Sequence, residues 1–241
     1  MNNPKVSVII PIYNTQDFVQ ATIRSVLNQT LSEWELLLVD DGSTDRSRQI
    51  AGEMAAAYPG KIRCLEHPDR ANRGQFASRI LGVRHARADV VALLDADDVW
   101  DPEYLEKHLR VWDSLQSQGV RLSYGPSLYW FGEAATRSKD FVQPMPPGLP
   151  RIFAPGELLE VFFADGYART PCPSCMLLWP GVFEGLARFE ADAKEGRAYE
   201  DQILGWHIAA RWPVAIHPNV WVRYRQHGSS SVHDTAASVS L

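Results

Sequence analysis

The chain is short of cysteine, of basic clusters and of long apolar runs, and each shortage argues against a class of protein. Only three of its 241 residues are cysteine, Cys64, Cys172 and Cys175. Cys172 and Cys175 form one Cys-Pro-Ser-Cys pair, and a structural zinc site would need a second pair that the chain does not have. A redox pair normally opens a helix, whereas Met176-Leu177-Leu178-Trp179 follows here and reads as a short strand. The thiols are therefore expected to be buried and reduced. Lys and Arg number 24 against 29 Asp and Glu, a formal net charge of -5, and no basic block stands out. That balance argues against a nucleic-acid partner. No window approaches the ~18 apolar residues needed to span a bilayer. Met1-Asn2-Asn3-Pro4-Lys5 passes into a strand-like run without a charged n-region or an apolar h-region. A soluble, cytoplasmic protein is the expectation, and no internal repeat is visible.

What the chain has in quantity is strand-length apolar sequence alternating with helical periodicity. Val6-Ser7-Val8-Ile9-Ile10, Leu36-Leu37-Leu38-Val39, Ile62-Arg63-Cys64-Leu65 and Val90-Val91-Ala92-Leu93-Leu94 read as strands. Between them, Val19, Ile23, Val26 and Leu27, then Ile50, Met54 and Tyr58, then Phe76, Ile80 and Val83 fall on helical faces. Ser43 or Thr44 is placed to cap the second helix. Strand-helix alternation of this kind predicts an α/β fold, a doubly wound, mostly parallel sheet flanked by helices and joined by right-handed crossovers. A further helix carries Leu105, Leu109, Trp112 and Leu115, with Asp101-Pro102 as its N-cap and first-turn proline. Residues 125–156 are rich in Pro, Gly and aromatics and read as a binding loop or lid. Val220 to His227 forms a last strand, and 229–241 a small, polar, disordered tail.

The strongest chemical signal is the end of the fourth strand, Asp95-Ala96-Asp97-Asp98. Alternation places Asp95 and Asp97 on one face of the emerging strand. Parallel carboxylates repel and raise each other's pKa unless a cation intervenes, and oxygen ligands suit Mg²⁺ or Mn²⁺. A capping role for these acids is the competing reading, and Asp101 already fills it. Asp40 and Asp41 repeat the arrangement at the tip of the second strand, and Pro11-Ile12-Tyr13-Asn14 ends the first. Strand tips of a parallel sheet share one edge, so these groups converge on one cleft. There Tyr13 beside a carboxylate suits a nucleobase ring and its N–H, although Asp41-Gly42-Ser43 also fits a plain Asx turn. Arg70, Arg73 and Arg79 lead into a helix N-terminus, which suits a diphosphate or, equally, a solvated basic face. Glu200 and Asp201 open a later helix, where the helix dipole alone accounts for acids. His227, at the end of the last strand, is placed to reach a metal.

In order along the chain, VSVIIPIYN (Val6 to Asn14), VDDGSTD (Val39 to Asp45), Asn72 to Arg79, LLDADD (Leu93 to Asp98), YED (Tyr199 to Asp201) and YRQH (Tyr224 to His227) resemble the family 2 glycosyltransferases of the GT-A fold. The resemblance implies a transferase moving a sugar from a nucleotide-diphospho-sugar, a UDP-sugar first, to a saccharide or lipid-linked acceptor, with inversion and with Mg²⁺ or Mn²⁺. It implies that Pro11, Tyr13, Asp40 and Asp41 hold the nucleotide, that Arg73 and Arg79 meet the diphosphate, and that Asp98 lies near the donor sugar. It places the metal on Asp97, supported by Asp95 and His227, and the general base at Asp201. Residues 1–125 become the nucleotide-sugar half and 126–228 the acceptor half of one domain. A lipid-linked acceptor implies peripheral contact with the inner face of a membrane. The sequence departs from the family pattern at Phe76 and Ile80, where many relatives carry Ser and Asn. A sugar nucleotidyltransferase would show a Gly-rich basic loop after the first strand, and Pro11 to Thr15 has none. The reading from another class is a non-catalytic nucleotide-sugar-binding subunit, which has no need of a base.

Overall fold

The computed structural model describes residues 3–132, 139–163, 171–186 and 200–228. The expected tail, 229–241, lies outside the described residues, as do Tyr167 and Tyr199. Four parallel strands, β1 (Val6–Ile12), β2 (Trp34–Asp40), β3 (Ile62–Glu66) and β4 (Val91–Leu93), stand in the order β3-β2-β1-β4. They alternate with α1 (Val19–Leu27), α2 (Ser47–Ala57) and α3 (Gln75–His85). Every residue of β1 and β2 is buried, which is why both read as continuous apolar runs rather than alternating ones. On α3, Gly82 allows the helix to lie against β1, since a Cβ there would sit 2.5 Å from Ile9 Cγ2.

The sheet continues into the second half of the chain. β10 (Leu177–Leu178) pairs antiparallel with both β4 and β6 (Leu122–Tyr124), and beyond β6 stand β11 (Val214–Ile216) and β9 (Arg151–Phe153), making eight strands. A second sheet of four strands has the order β5-β12-β7-β8, formed by β5 (Val99–Trp100), β12 (Val222–Arg225), β7 (Ser127–Trp130) and β8 (Phe141–Val142). The helices α4 (Tyr104–Leu115), α5 (Glu157–Phe163) and α6 (Glu200–Ala209) complete the described α-helices. No described helix is long and apolar enough to cross a membrane.

Several local expectations change. The 125–156 segment is not one loop, because β7 pairs with β8 and with β12, and β9 pairs with β11. Neither Ser43 nor Thr44 caps α2: Arg46 is its N-cap, while the Thr44 N–H is drawn to Asn14 Oδ1 at 2.8 Å and the Asp45 carboxylate accepts from Ser47 N at 2.8 Å. Asp101 does not cap α4, which starts at Tyr104 without a side-chain cap; its carboxylate lies 3.8 Å from Arg223. Cys175 is buried and Cys172 half-buried, both as free thiols, but Cys64 is exposed because β3 alternates in burial.

Candidate active site

The tips of β1, β2 and β4 and the first turns of α3 and α6 meet at a cleft of about 280 Å³, whose wall includes Pro11, Tyr13, Asp41, Gly74, Asp97 and Glu200. The carboxyl ends of parallel strands open here, as sheet geometry requires. Asn14 turns the chain after β1 with φ 51°, and its side chain ties this turn to the one after β2. Tyr13 is left 46% exposed at the cleft.

Asp41 is buried and fixes the start of α3 to the sheet. Its Oδ1 accepts from the Arg73 N–H at 2.8 Å and its Oδ2 from the Gly74 N–H at 2.9 Å, with His67 Nε2 3.4 Å from Oδ1. Burial raises its pKa, against the pull of those N–H groups and His67. The Ser78 hydroxyl also hydrogen-bonds this carboxylate and favours its charged form. Asp40, expected beside it, is buried but is not part of the cleft wall; its negative charge bears on Cys64 of β3.

The two expected arginines separate. Arg73 contributes its backbone N–H to Asp41, while its side chain pairs with Asp69 at 2.7 Å on the surface. Arg79 is buried and donates to Asp95 Oδ1 at 2.7 Å, and Gln75, one turn earlier on the same helix face, donates to the same oxygen at 3.1 Å. Burial opposes the Arg79 charge, but Asp95, Glu200 and Asp201 more than offset it and its pKa is raised. Phe76 and Ile80 are buried on α3, which packs against β1 and β2, so the departure from the family pattern places core side chains there.

The acid tip is a turn rather than a strand, since β4 stops at Leu93 and the Asp98 N–H bonds back to the Asp95 carbonyl at 3.1 Å. Alternation therefore does not set the directions of its side chains. Asp97 reaches the cleft, with His227 Nε2 2.9 Å from its Oδ2. Asp98 is fully buried: its Oδ2 accepts from Ser174 Oγ at 2.5 Å and from the Cys172 thiol at 3.6 Å, and its Oδ1 from the Arg225 N–H at 2.9 Å. Ser174 Oγ in turn accepts from the Asp95 N–H at 3.0 Å, and Arg225 Nε donates to the Asp97 carbonyl at 2.7 Å. The working atom of the Cys-Pro-Ser-Cys turn is thus a hydroxyl, a role that attention to the two thiols missed.

Two sets of side chains here offer metal donors. Among the described residues Asp95, Asp98 and Cys172 bring ligand atoms within 4.8 Å of one another. They suit a hard cation poorly. A thiol is a soft ligand, burial pushes the Cys172 pKa well up, and the Asp98 oxygens are already bonded to Ser174 and Arg225. Asp97, in the cleft wall, offers a carboxylate of the kind that suits Mn²⁺ or Mg²⁺, and the His227 imidazole beside it is a second donor.

The sequence profile described as glycosyl transferase family 2 matches residues 7–174, which take in every site element from β1 to Ser174. The chain belongs to glycosyl transferase family 2. An uncharacterized glycosyltransferase of Nostoc sp. is 41% identical over 116 residues, covering 48% of this chain and 35% of that protein. The putative glycosyltransferase EpsE of Bacillus subtilis is 34% identical over 155 residues, 64% of this chain and 53% of that one. The chain therefore spans about half, or less, of the length of these relatives. Among solved structures, S. aureus TarS 1-349 in complex with UDP-GlcNAc superposes with a TM-score of 0.69 at 15% identity, covering 95% of this chain and 60% of that one. At that identity the likeness establishes the shared fold.

Within this family 2 framework, one group in the cleft wall carries no role from the sequence reading. Glu200, the first residue of α6, is buried, and its pKa is pushed up to about 7, by burial first and with Arg79 opposing. Asp201 follows it, half-buried, and its charge bears on both Arg79 and Glu200. Thr15 and Asn72 also line the cleft, and Thr15 Oγ1 and Asn72 Oδ1 are buried without a hydrogen-bond partner. Their positions beside the Tyr13 and Gly74 motifs are the only hint the sequence offers.

Proposed function

We propose that the chain transfers a sugar from a UDP-sugar to a hydroxyl of a saccharide or lipid-linked acceptor, with inversion and with a divalent metal. The observation that carries this reading is one cleft with an aromatic and a carboxylate at one end, Tyr13 and Asp41, and the Asp97–His227 pair at the tip of β4. The fold shared with TarS, which has been crystallised with UDP and with UDP-GlcNAc, supports a nucleotide-sugar donor. In the reaction, Asp201 accepts the acceptor hydroxyl proton as the new bond to the anomeric carbon forms. The bond from that carbon to the diphosphate breaks, and its electron pair leaves with UDP. Asp97 and His227 would hold the metal, which when bound stabilises negative charge on the departing diphosphate. Arg79 keeps Asp95 paired behind that turn. A lipid-linked acceptor makes the protein a peripheral visitor to the inner face of a membrane.

Thermal melting tests the donor and the metal together. UDP at a hundred times its Kd is expected to stabilise the protein by about 2.7 kcal/mol in Mn²⁺. EDTA and Asp97→Ala should each remove most of that shift. Absence of any UDP-dependent shift sinks the donor reading, and a shift indifferent to EDTA sinks the metal.

A further inference from the structure

Glu200 is buried, yet only part of its carboxylate is accounted for. Its Oε1 lies 3.2 Å from where a Cβ would stand on Gly74, the N-cap of α3, and its Oε2 has no hydrogen-bond partner. The Phe76 N–H, in the first turn of α3, favours its charged form. That helix has no side-chain cap of its own, so an acid from α6, 126 positions along the chain from Gly74, occupies the place a cap would fill. The groups that bear on Glu200 are Arg79 from α3, Asp41 from the turn after β2, and Asp201 from its own helix. Arg79 also binds Asp95, so α3 connects Glu200 with the acid turn.

We propose that Glu200 is a positioning residue: by seating the first turn of α6 on the N-terminus of α3, it fixes Asp201 relative to the donor cleft. This rests on the reading of Asp201 as the base. A negative charge on Glu200 also makes the adjacent Asp201 a better proton acceptor, because two nearby carboxylates raise each other's affinity for protons. The arrangement is costly to the fold. A carboxyl whose pKa is raised on folding contributes stability that is complete below its unfolded pKa and is lost as pH rises through about 7. Carboxyls perturbed in this way by burial in a cleft cluster at functional sites.

The test compares Glu200→Gln, Glu200→Ala and Asp201→Asn by transfer kinetics, UDP calorimetry and melting. Glu200→Gln is expected to lower kcat about tenfold and Glu200→Ala about a hundredfold, each with UDP affinity held within about twofold. Glu200→Gln should also melt above wild type at pH 8, the gap closing as pH falls toward 5. The part of the wild-type kcat profile that rises through neutral pH should be absent from Glu200→Gln. Wild-type kcat in Glu200→Ala overturns the proposal, as does a loss of UDP affinity as large as the loss of kcat, which would make Glu200 a donor ligand. If Asp201→Asn transfers at the wild-type rate, the base assignment fails and takes this proposal with it. If Asp201→Asn is inactive while Glu200→Ala is normal, Glu200 alone is overturned.

Discussion

Asp201→Asn is expected to lower the transfer rate by about 10²–10⁴-fold, the contribution a positioned general base makes. The substitution keeps the size of the side chain and removes only its basicity. Asp201 is one of three acids that sustain the buried Arg79 charge, and Asp95, in direct contact at 2.7 Å, remains. The fold should therefore hold, with melting close to wild type, and UDP should bind within about twofold of wild type because the loss is confined to the transition state. A fall in kcat and kcat/KM together, with unchanged UDP calorimetry, is the signature. Glu200 is the built-in control, since it adjoins Asp201 in sequence and titrates near neutral pH. If Glu200→Gln abolishes transfer while Asp201→Asn retains it, the two carboxylates exchange roles. If both variants lose UDP affinity in step with rate, the acids bind donor and neither acts as a base.

The parts of this site legible in the sequence were those fixed by local rules. Buried parallel strands read as apolar runs, so Leu36 to Val39 and Val90 to Leu94 announced their tips, and the convergence of Tyr13, Asp41 and Asp97 on one cleft followed from strand order. What stayed hidden depends on pairings distant in sequence. β10 is two residues long and enters the sheet antiparallel between β4 and β6, which no periodicity reveals. β12 joins β5, more than a hundred residues earlier, and that pairing carries His227 to Asp97. The capping errors have the same source. Thr44 and Ser43 have the chemistry of N-caps, but Asn14 on a neighbouring turn engages Thr44 and Ser43 Oγ accepts the Asn14 N–H at 3.2 Å. Gln75 and Arg79 differ from Phe76 and Ile80 only by helical phase, which sequence spacing gives, but which phase faces the acids depends on how α3 is seated by Asp41.

The three acids of the β4 turn are the sharpest case, and Asp98 is the one whose structural partners were least visible. The family resemblance implies a place near the donor sugar, whereas the structure buries it among Ser174, Cys172 and Arg225. Its pKa is raised well above the ordinary carboxylate range, by burial first and then by Asp97 and Asp95. Asp98→Ala strands the Ser174 hydroxyl and the Arg225 N–H, at about 1–3 kcal/mol for each buried group left unsatisfied. For a domain of this size the melting temperature should fall by about 5–15 °C. Arg225 also holds the Asp97 carbonyl and stands two residues before His227, so loosening it should weaken Mn²⁺ binding about 10–100-fold, the usual effect of losing an outer-shell partner. Asp98→Asn is the informative companion. It keeps the shape and one acceptor oxygen and cannot ionise, so it should melt within a few degrees of wild type. A carboxyl with a raised folded pKa loses its stabilising contribution as pH climbs through that pKa, and Asn does not, so the variant should gain on wild type as pH rises. Mn²⁺ titration and melting from pH 5 to 9 decide the matter. If Asp98→Ala and Asp98→Asn both melt like wild type while sugar transfer collapses, Asp98 faces the donor after all, and the burial seen here opens when substrate binds.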